Sequence, residues 1–379
     1  MKRITVAVDS FKGSLSSREV ADAFEKGFKR VFSRCEVRKV SIADGGEGTV
    51  DALVEMLDGE EVVLEVADPL MRPVKARYGI VDGGRTAVME MSAASGLPLL
   101  KVEERNPLKT TTYGTGEMIV DALKRGCRNF LVGIGGSATN DAGVGMLRAL
   151  GFRFLDAEGR ELVGGGEILE RIVTIDDSGV LNDLSEATFT VACDVTNPLY
   201  GPAGAAYVFA PQKGADAAMV ERLDVGLRNF AEVVKRYNGE RIAALPGAGA
   251  AGGLGGGFKA LLGARLERGI EMVLTAMQFD KIIEGSDLVV TGEGRLDRQT
   301  VMGKAPSGVL RMARKMNIPC VAIGGAVEMC DELAKSDFVA MLPILSAPMS
   351  LERAMEAEVA KANVERTAMQ IARLLKMNI

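Results

Sequence analysis

Residues 4–57 read ITVAVDSFKGSLSSREVADAFEKGFKRVFSRCEVRKVSIADGGEGTVDALVEML, and this stretch decides the fold class. Ile4 to Val8 is a short run, apolar but for Thr5, the pattern of a strand buried on both faces of a parallel sheet. After a loop over 9–17, Val20, Phe24, Phe28 and Val31 recur at helical spacing. Ser16 with Glu19 predicts a capping box at the start of that helix. Val37 to Ala43 reads as the next strand, then comes a glycine-rich turn, then a helix carrying Val50, Leu53, Val54 and Leu57. Strand, loop, helix, strand is the grammar of an α/β parallel sheet.

From Glu60 to about Leu100 the grammar changes. Val62, Leu64 and Val66 recur at every second position with acids at 61 and 65, and Val74, Ala76 and Tyr78 alternate with Lys75 and Arg77, which predicts antiparallel strands opening an inserted domain. The first grammar resumes with strands at 288–291 and 319–323, a helix at 306–316 and a last helix over 352–375. The expectation is a two-domain α/β protein. A Rossmann-like domain is formed from both chain ends, residues 1–60 and 285–379. A mixed α/β domain, 61–284, is inserted into it, with the ligand site in the cleft between them. The run Gly247 to Gly257 has two readings, a flexible linker or a phosphate-approaching hinge.

The 379 residues carry a formal charge of −5 and a pI near 5.3, which speaks against nucleic acid or an anionic membrane as partner. The five cysteines form no CxxC pair, and no leader or spanning segment is evident, so a reducing, cytoplasmic setting is expected. The number of subunits stays open, a homo-oligomer among the outcomes. The chain has no histidine, which excludes Ser-His-Asp and Cys-His catalysis and histidine-held zinc. Proton transfer therefore falls to carboxylate, lysine, tyrosine, cysteine or water.

Ligands of open α/β sheets bind beyond the carboxyl ends of strands. The segments in those places share one composition, glycines beside acids and small hydroxyls. They are Asp9-Ser10-Phe11-Lys12-Gly13-Ser14, Asp44-Gly45-Gly46-Glu47-Gly48, Gly135-Gly136-Ser137-Ala138-Thr139-Asn140-Asp141, Asp194-Val195-Thr196-Asn197-Pro198 and Thr291-Gly292-Glu293-Gly294-Arg295-Leu296-Asp297. Glycine loops present backbone N–H groups to phosphate, carboxylates hold magnesium, and lysine neutralises phosphate charge. Taken singly, each has a plainer explanation: a Gly-Gly turn, an Asp cap, a solvated lysine, or a cap on the next helix for Asn140 and Asp141. No P-loop is present, since Gly303-Lys304 is followed by Ala305, and no GxGxxG follows the first strand. The recurrence favours a phosphotransferase.

These blocks, together with Pro211-Gln-Lys-Gly214 and 246–253, resemble the bacterial glycerate kinases over nearly the whole chain. The resemblance implies ATP, magnesium (Mg2+) and D-glycerate, with transfer to the 2-hydroxyl giving 2-phosphoglycerate. Substrate is expected at Ser10, Lys12, Asp44, Gly45, Gly46 and Asn197. Nucleotide is expected at Gly135, Gly136, Ser137, Asn140, Gly292, Glu293, Gly294 and Lys304, and metal at Asp297, Glu293 and Asp44. Asp194, Lys12 and Asp297 are the expected catalytic residues, with Asp194 as base or hydroxyl-orienting group. One departure is Val8, where the family usually has proline. A kinase for another short hydroxy acid and a non-catalytic sugar-acid sensor are the alternatives.

Overall fold

The computed structural model describes residues 1–46 and 48–377; Glu47, quoted above in the second strand-end loop, lies outside the described residues. Strands in chain order are β1 (Arg3–Val8), β2 (Glu36–Ser41), β3 (Glu60–Ala67), β4 (Pro73–Val81), β5 (Thr86–Glu90), β6 (Asn129–Gly133) and β7 (Arg153–Leu155), followed by β8 (Thr174–Asp176), β9 (Thr188–Ala192), β10 (Arg265–Glu267), β11 (Leu288–Leu296), β12 (Cys320–Val327) and β13 (Ala340–Pro343).

The chain divides into two compact units, Met1–Asp44 with Val273–Ile379, and Gly45–Met272. These divisions fall earlier than the 60/61 and 284/285 expected from sequence. The physical reason at the first is the helix Thr49–Met56, which packs on β4. There, the missing side chain of Gly79 makes room for Val54 and Val50.

The first unit is a five-stranded sheet, order β13-β12-β11-β1-β2, parallel throughout. β1 lies inside it, and Ile4, Val6, Ala7 and Val8 are buried, as a strand covered on both faces must be. The capping box forms: Ser16 Oγ accepts from Glu19 N and the Glu19 carboxylate accepts from Ser16 N. The helix it opens, Ser17–Lys29, turns Val20, Phe24 and Phe28 into a core completed by Val364, Ala368 and Ile371 of the helix Ala357–Lys376. Phe24 is fully buried, so its truncation to alanine would cost roughly 3–5 kcal/mol. Gly27 lets the two helices approach, because a Cβ there would lie 2.0 Å from the Glu365 carbonyl oxygen.

The second unit holds a six-stranded mixed sheet, order β10-β9-β6-β5-β4-β3, and a small β7-β8 hairpin. β3 and β4 are antiparallel, as their spacing predicts; β5 pairs antiparallel with β4, and β5, β6, β9 and β10 run parallel. Phe130, Phe189 and Phe258 stack in its core. The glycine-rich 247–257 run is no linker. Most of it lies in the helix Ala250–Leu262, broken by left-handed geometry at Ala251, Gly252 and Gly253. Gly252 is required by approach: a Cβ would sit 2.0 Å from the Thr139 carbonyl oxygen. No described helix is long and apolar enough to cross a membrane.

Candidate active site

In the first unit, β11 and β12 outrun β1. Val8 pairs with Gly292, whereas β11 and β12 stay paired to Leu296 and Val327. A cavity of about 560 Å3 opens beyond the end of β1, within the size range of small-molecule sites. Ser10, Lys12, Asp44, Glu293, Gly294, Asp297 and Lys304, all expected from sequence, line it. Gly292 sits behind the wall instead: its carbonyl accepts from Asp9 N at 2.9 Å, and a Cβ would press to 2.3 Å from the Ile323 carbonyl oxygen.

The loop after β1 is shaped by its own backbone. Phe11 N donates to Leu15 O at 2.8 Å and Leu15 N to Phe11 O at 3.0 Å, so Lys12 stands at an exposed tip over a buried Phe11. The hydroxyl oxygen of Ser14, also on the lining, is buried without a partner. Asp9 completes the set, a residue the sequence reading quoted only as the start of this loop. Its carboxylate accepts from Ser10 N at 2.6 Å. Burial, and then the neighbouring Asp44 charge, push it up to about 6, against the opposing pull of Ser10 and Lys12.

Glu293 is also raised, first by burial, with Asp9 and Asp297 adding to it and the Thr300 hydroxyl and Lys304 opposing. Thr300 Oγ1 donates to Glu293 Oε1 at 2.7 Å and Lys304 Nζ lies 3.7 Å from Glu293 Oε2. Asp297 caps the short turn after it, Oδ1 accepting from Gln299 N at 2.7 Å. Lys304 precedes the helix Ala305–Lys315; Pro306 in its first turn has no N–H, and Ser307 N and Gly308 N donate to the Lys304 carbonyl at 3.1 and 3.3 Å. With Glu328 and Arg295, which also line it and pair with each other, five carboxylates, two lysines and one arginine share one cavity.

Magnesium is implied by the family resemblance, and the donor set fits it in one form only. Among the described residues no group of three or more acidic or cysteine side chains is placed to hold a metal by itself. Mg2+ characteristically takes one or two carboxylates and completes its shell with water and substrate phosphate. Mutually repelling carboxylates raised by burial are the groups that such an ion would relieve.

In the second unit, loops gather at the carboxyl ends of β6, β9 and β10. Gly45, at φ 87°, is hemmed in: a Cβ would meet Gly269 Cα at 2.5 Å and the Ala192 methyl at 2.7 Å. Gly46 O accepts from the Thr49 hydroxyl at 2.7 Å, starting the helix Thr49–Met56. Asp194 is exposed just past β9, and its Oδ1 accepts from Gly269 N at 3.0 Å, anchoring the first turn of the helix Gly269–Ala276. Asn197 is used by its turn, Nδ2 donating to Ala203 O and its carbonyl accepting from Gly249 N.

The loop after β6 holds Gly135, Gly136, Ser137 and Asn140. No side chain or backbone crowds Gly135, and Gly136 has φ 73°. Asp141 does cap a helix: its carboxylate accepts from Gly143 N, Gly145 N, Thr112 N and the Thr112 hydroxyl. Asn140 is fully buried, yet neither amide atom has a partner. Sequence reasoning passed over Lys213 as a site residue. It is 1% exposed, and its Nζ donates to Ser137 Oγ and Thr139 O, each at 2.7 Å. Burial lowers its ammonium to about 7, with Asp141 opposing.

Comparison with known proteins places the chain in one family. The family model described as glycerate kinase family matches residues 4–376. The chain is 47% identical over 376 residues to a glycerate kinase of Bacillus subtilis, covering 99% of this chain and 98% of that one. It is 48% identical over 325 residues to the glycerate 2-kinase of Escherichia coli K12, covering 86% and 85%. A crystal structure from Salmonella typhimurium LT2, provisionally named glycerate kinase 2, superposes with a TM-score of 0.91 at 44% identity, covering 100% of this chain and 99% of that one. This chain belongs to the glycerate kinase family.

Proposed function

We propose that the protein transfers the γ-phosphoryl group of ATP to D-glycerate, at the 2-hydroxyl, giving 2-phosphoglycerate and ADP in a magnesium-dependent reaction. The observation that carries the reading is the cavity in which Asp9, Asp44, Glu293 and Asp297 meet Lys12 and Lys304, in a chain whose relatives are named glycerate kinases. Phosphoryl transfer is catalysed mainly by positioning and by charge neutralisation, and this set supplies both kinds of group.

In this reading Ser10 and Lys12 take the glycerate carboxylate. Lys304 takes phosphate oxygens as charge moves toward the leaving ADP. One or two of Asp44, Glu293 and Asp297 would hold the magnesium that arrives with the nucleotide, with water and phosphate completing its shell, and the ion would neutralise phosphate charge when bound. The 2-hydroxyl oxygen bonds to the γ-phosphorus, the bond from that phosphorus to the β–γ bridging oxygen breaks, and Asp194 accepts the hydroxyl proton. With no histidine in the chain, a carboxylate is the natural acceptor. The loop Gly135–Asn140, tied down by Lys213, offers backbone N–H groups to the nucleotide.

The test is ADP release by purified protein, followed with a coupled assay. Release that needs both D-glycerate and magnesium supports the reading; release indifferent to D-glycerate, or none from folded protein, removes it.

A further inference from the structure

The first-unit cavity has two chemically different ends. One end carries the carboxylates and lysines described above. The other is apolar, formed by Val327 at the end of β12, Ile344 and Leu345 just past β13, and Leu351, Ala354 and Met355 on the helix Leu351–Met355. Ile344 is buried, but Leu345 is 38% exposed and Leu351 75% exposed. Large apolar side chains left to water beside a polar site ask for an apolar ligand surface to cover them. The two ends belong to one body: a Cβ on Gly13 would come within 2.8 Å of Met355 Cε, so the Lys12 loop rests against the apolar side chain.

A three-carbon hydroxy acid has no face that could cover this wall. A nucleoside triphosphate matches both ends, with a flat aromatic base joined to a polyanionic tail. We propose that the wall formed by Leu345, Leu351 and Met355 seats the purine base of ATP, with the phosphates directed to Lys304. This rests on the kinase reading above and adds to it the place of the base. The six wall residues carry no charge and no side-chain hydrogen-bonding group. They therefore recognise the base as a flat apolar surface, through burial and dispersion.

The experiment titrates the full-length protein by calorimetry, in the presence of magnesium, with ADP and separately with inorganic tripolyphosphate. Leu351→Ser and Met355→Ser are compared with wild type. Leu351 is mostly exposed, so its variant keeps the fold, and circular dichroism checks both. The proposal expects ADP affinity to fall about tenfold in each variant, the effect of uncovering one to two methylene groups' worth of contact. Tripolyphosphate affinity and the KM for D-glycerate stay as in wild type. Unchanged ADP affinity in both variants overturns the base seat and leaves the kinase reading intact. Equal losses for ADP and tripolyphosphate also overturn it, because the change would then act through the phosphate end. If wild type binds neither ADP nor tripolyphosphate, the kinase reading falls and the base seat with it.

Discussion

Asp9→Asn should stabilise the first unit at neutral and alkaline pH while damaging the site. The Asp9 carboxyl is raised from 3.8 to about 6, by burial and then by Asp44. A folded chain that holds this proton more tightly than the unfolded chain is favoured at low pH. That contribution is fully present below pH 3.8 and is lost as pH rises through about 6. At roughly 1.4 kcal/mol for each pH unit, keeping Asp9 charged at pH 8 costs up to about 3 kcal/mol, and about 2 kcal/mol once partial solvation is allowed for. Asparagine retains a side-chain oxygen to accept from Ser10 N and removes the charge. With a urea slope of about 2 kcal/mol/M, the midpoint of the first unit should rise by about 1 M at pH 8. Near pH 4 the two proteins should unfold almost together. Catalytic activity should fall despite the gain in stability, the usual balance at a site built from strained charges. Urea unfolding of both proteins at the two pH values decides it. Equal midpoints at pH 8, or an undiminished difference at pH 4, would refute the electrostatic reasoning.

Asp194→Asn keeps an oxygen for Gly269 N, so it should fold and melt as wild type while kcat drops about 10²–10⁴-fold; near-normal kcat would remove Asp194 as proton acceptor. Gly45→Ala forces a Cβ into Gly269 and Ala192 at positive φ, and should destabilise the second unit by about 2–4 kcal/mol in a denaturant titration. Lys213 is lowered from 10.5 to about 7 by burial, so the unfolded chain binds the extra proton between those values. The stability of wild type relative to Lys213→Met should therefore grow as pH rises from about 7 to 10. A difference that shrinks over that window would show that the lysine is not held as described.

Parts of the architecture were open to reading because local sequence and tertiary position agree. The run Ile4 to Val8, which the parallel sheet buries on both faces, is apolar except for Thr5, whose hydroxyl is paired with that of Ser286, and Ser16 with Glu19 carries the capping box in its own spacing. The alternation at 62–66 and 74–78 mirrors the two faces of an antiparallel pair. Other features have causes distant in the chain. The glycines at 252 and 257 answer to the carbonyls of Thr139 and Ala142, which no neighbouring residue announces. Asp9 has its carboxyl raised by burial and then by Asp44, folded beside it from 35 residues away, and Lys213 is buried by a loop some 75 residues earlier. Asn197 has the composition of a site residue, but its amide is spent on the Ala203 carbonyl. Leu345, Leu351 and Met355 carry no motif, and only the cavity joins them to the charged loops.

The central claim is tested most directly by phosphorus NMR of the purified protein incubated with ATP, magnesium and D-glycerate. The account predicts a magnesium-dependent 2-phosphoglycerate resonance growing with ADP. A 3-phosphoglycerate resonance would contradict the assigned hydroxyl, and folded protein that yields no phosphoglycerate would contradict the reaction itself.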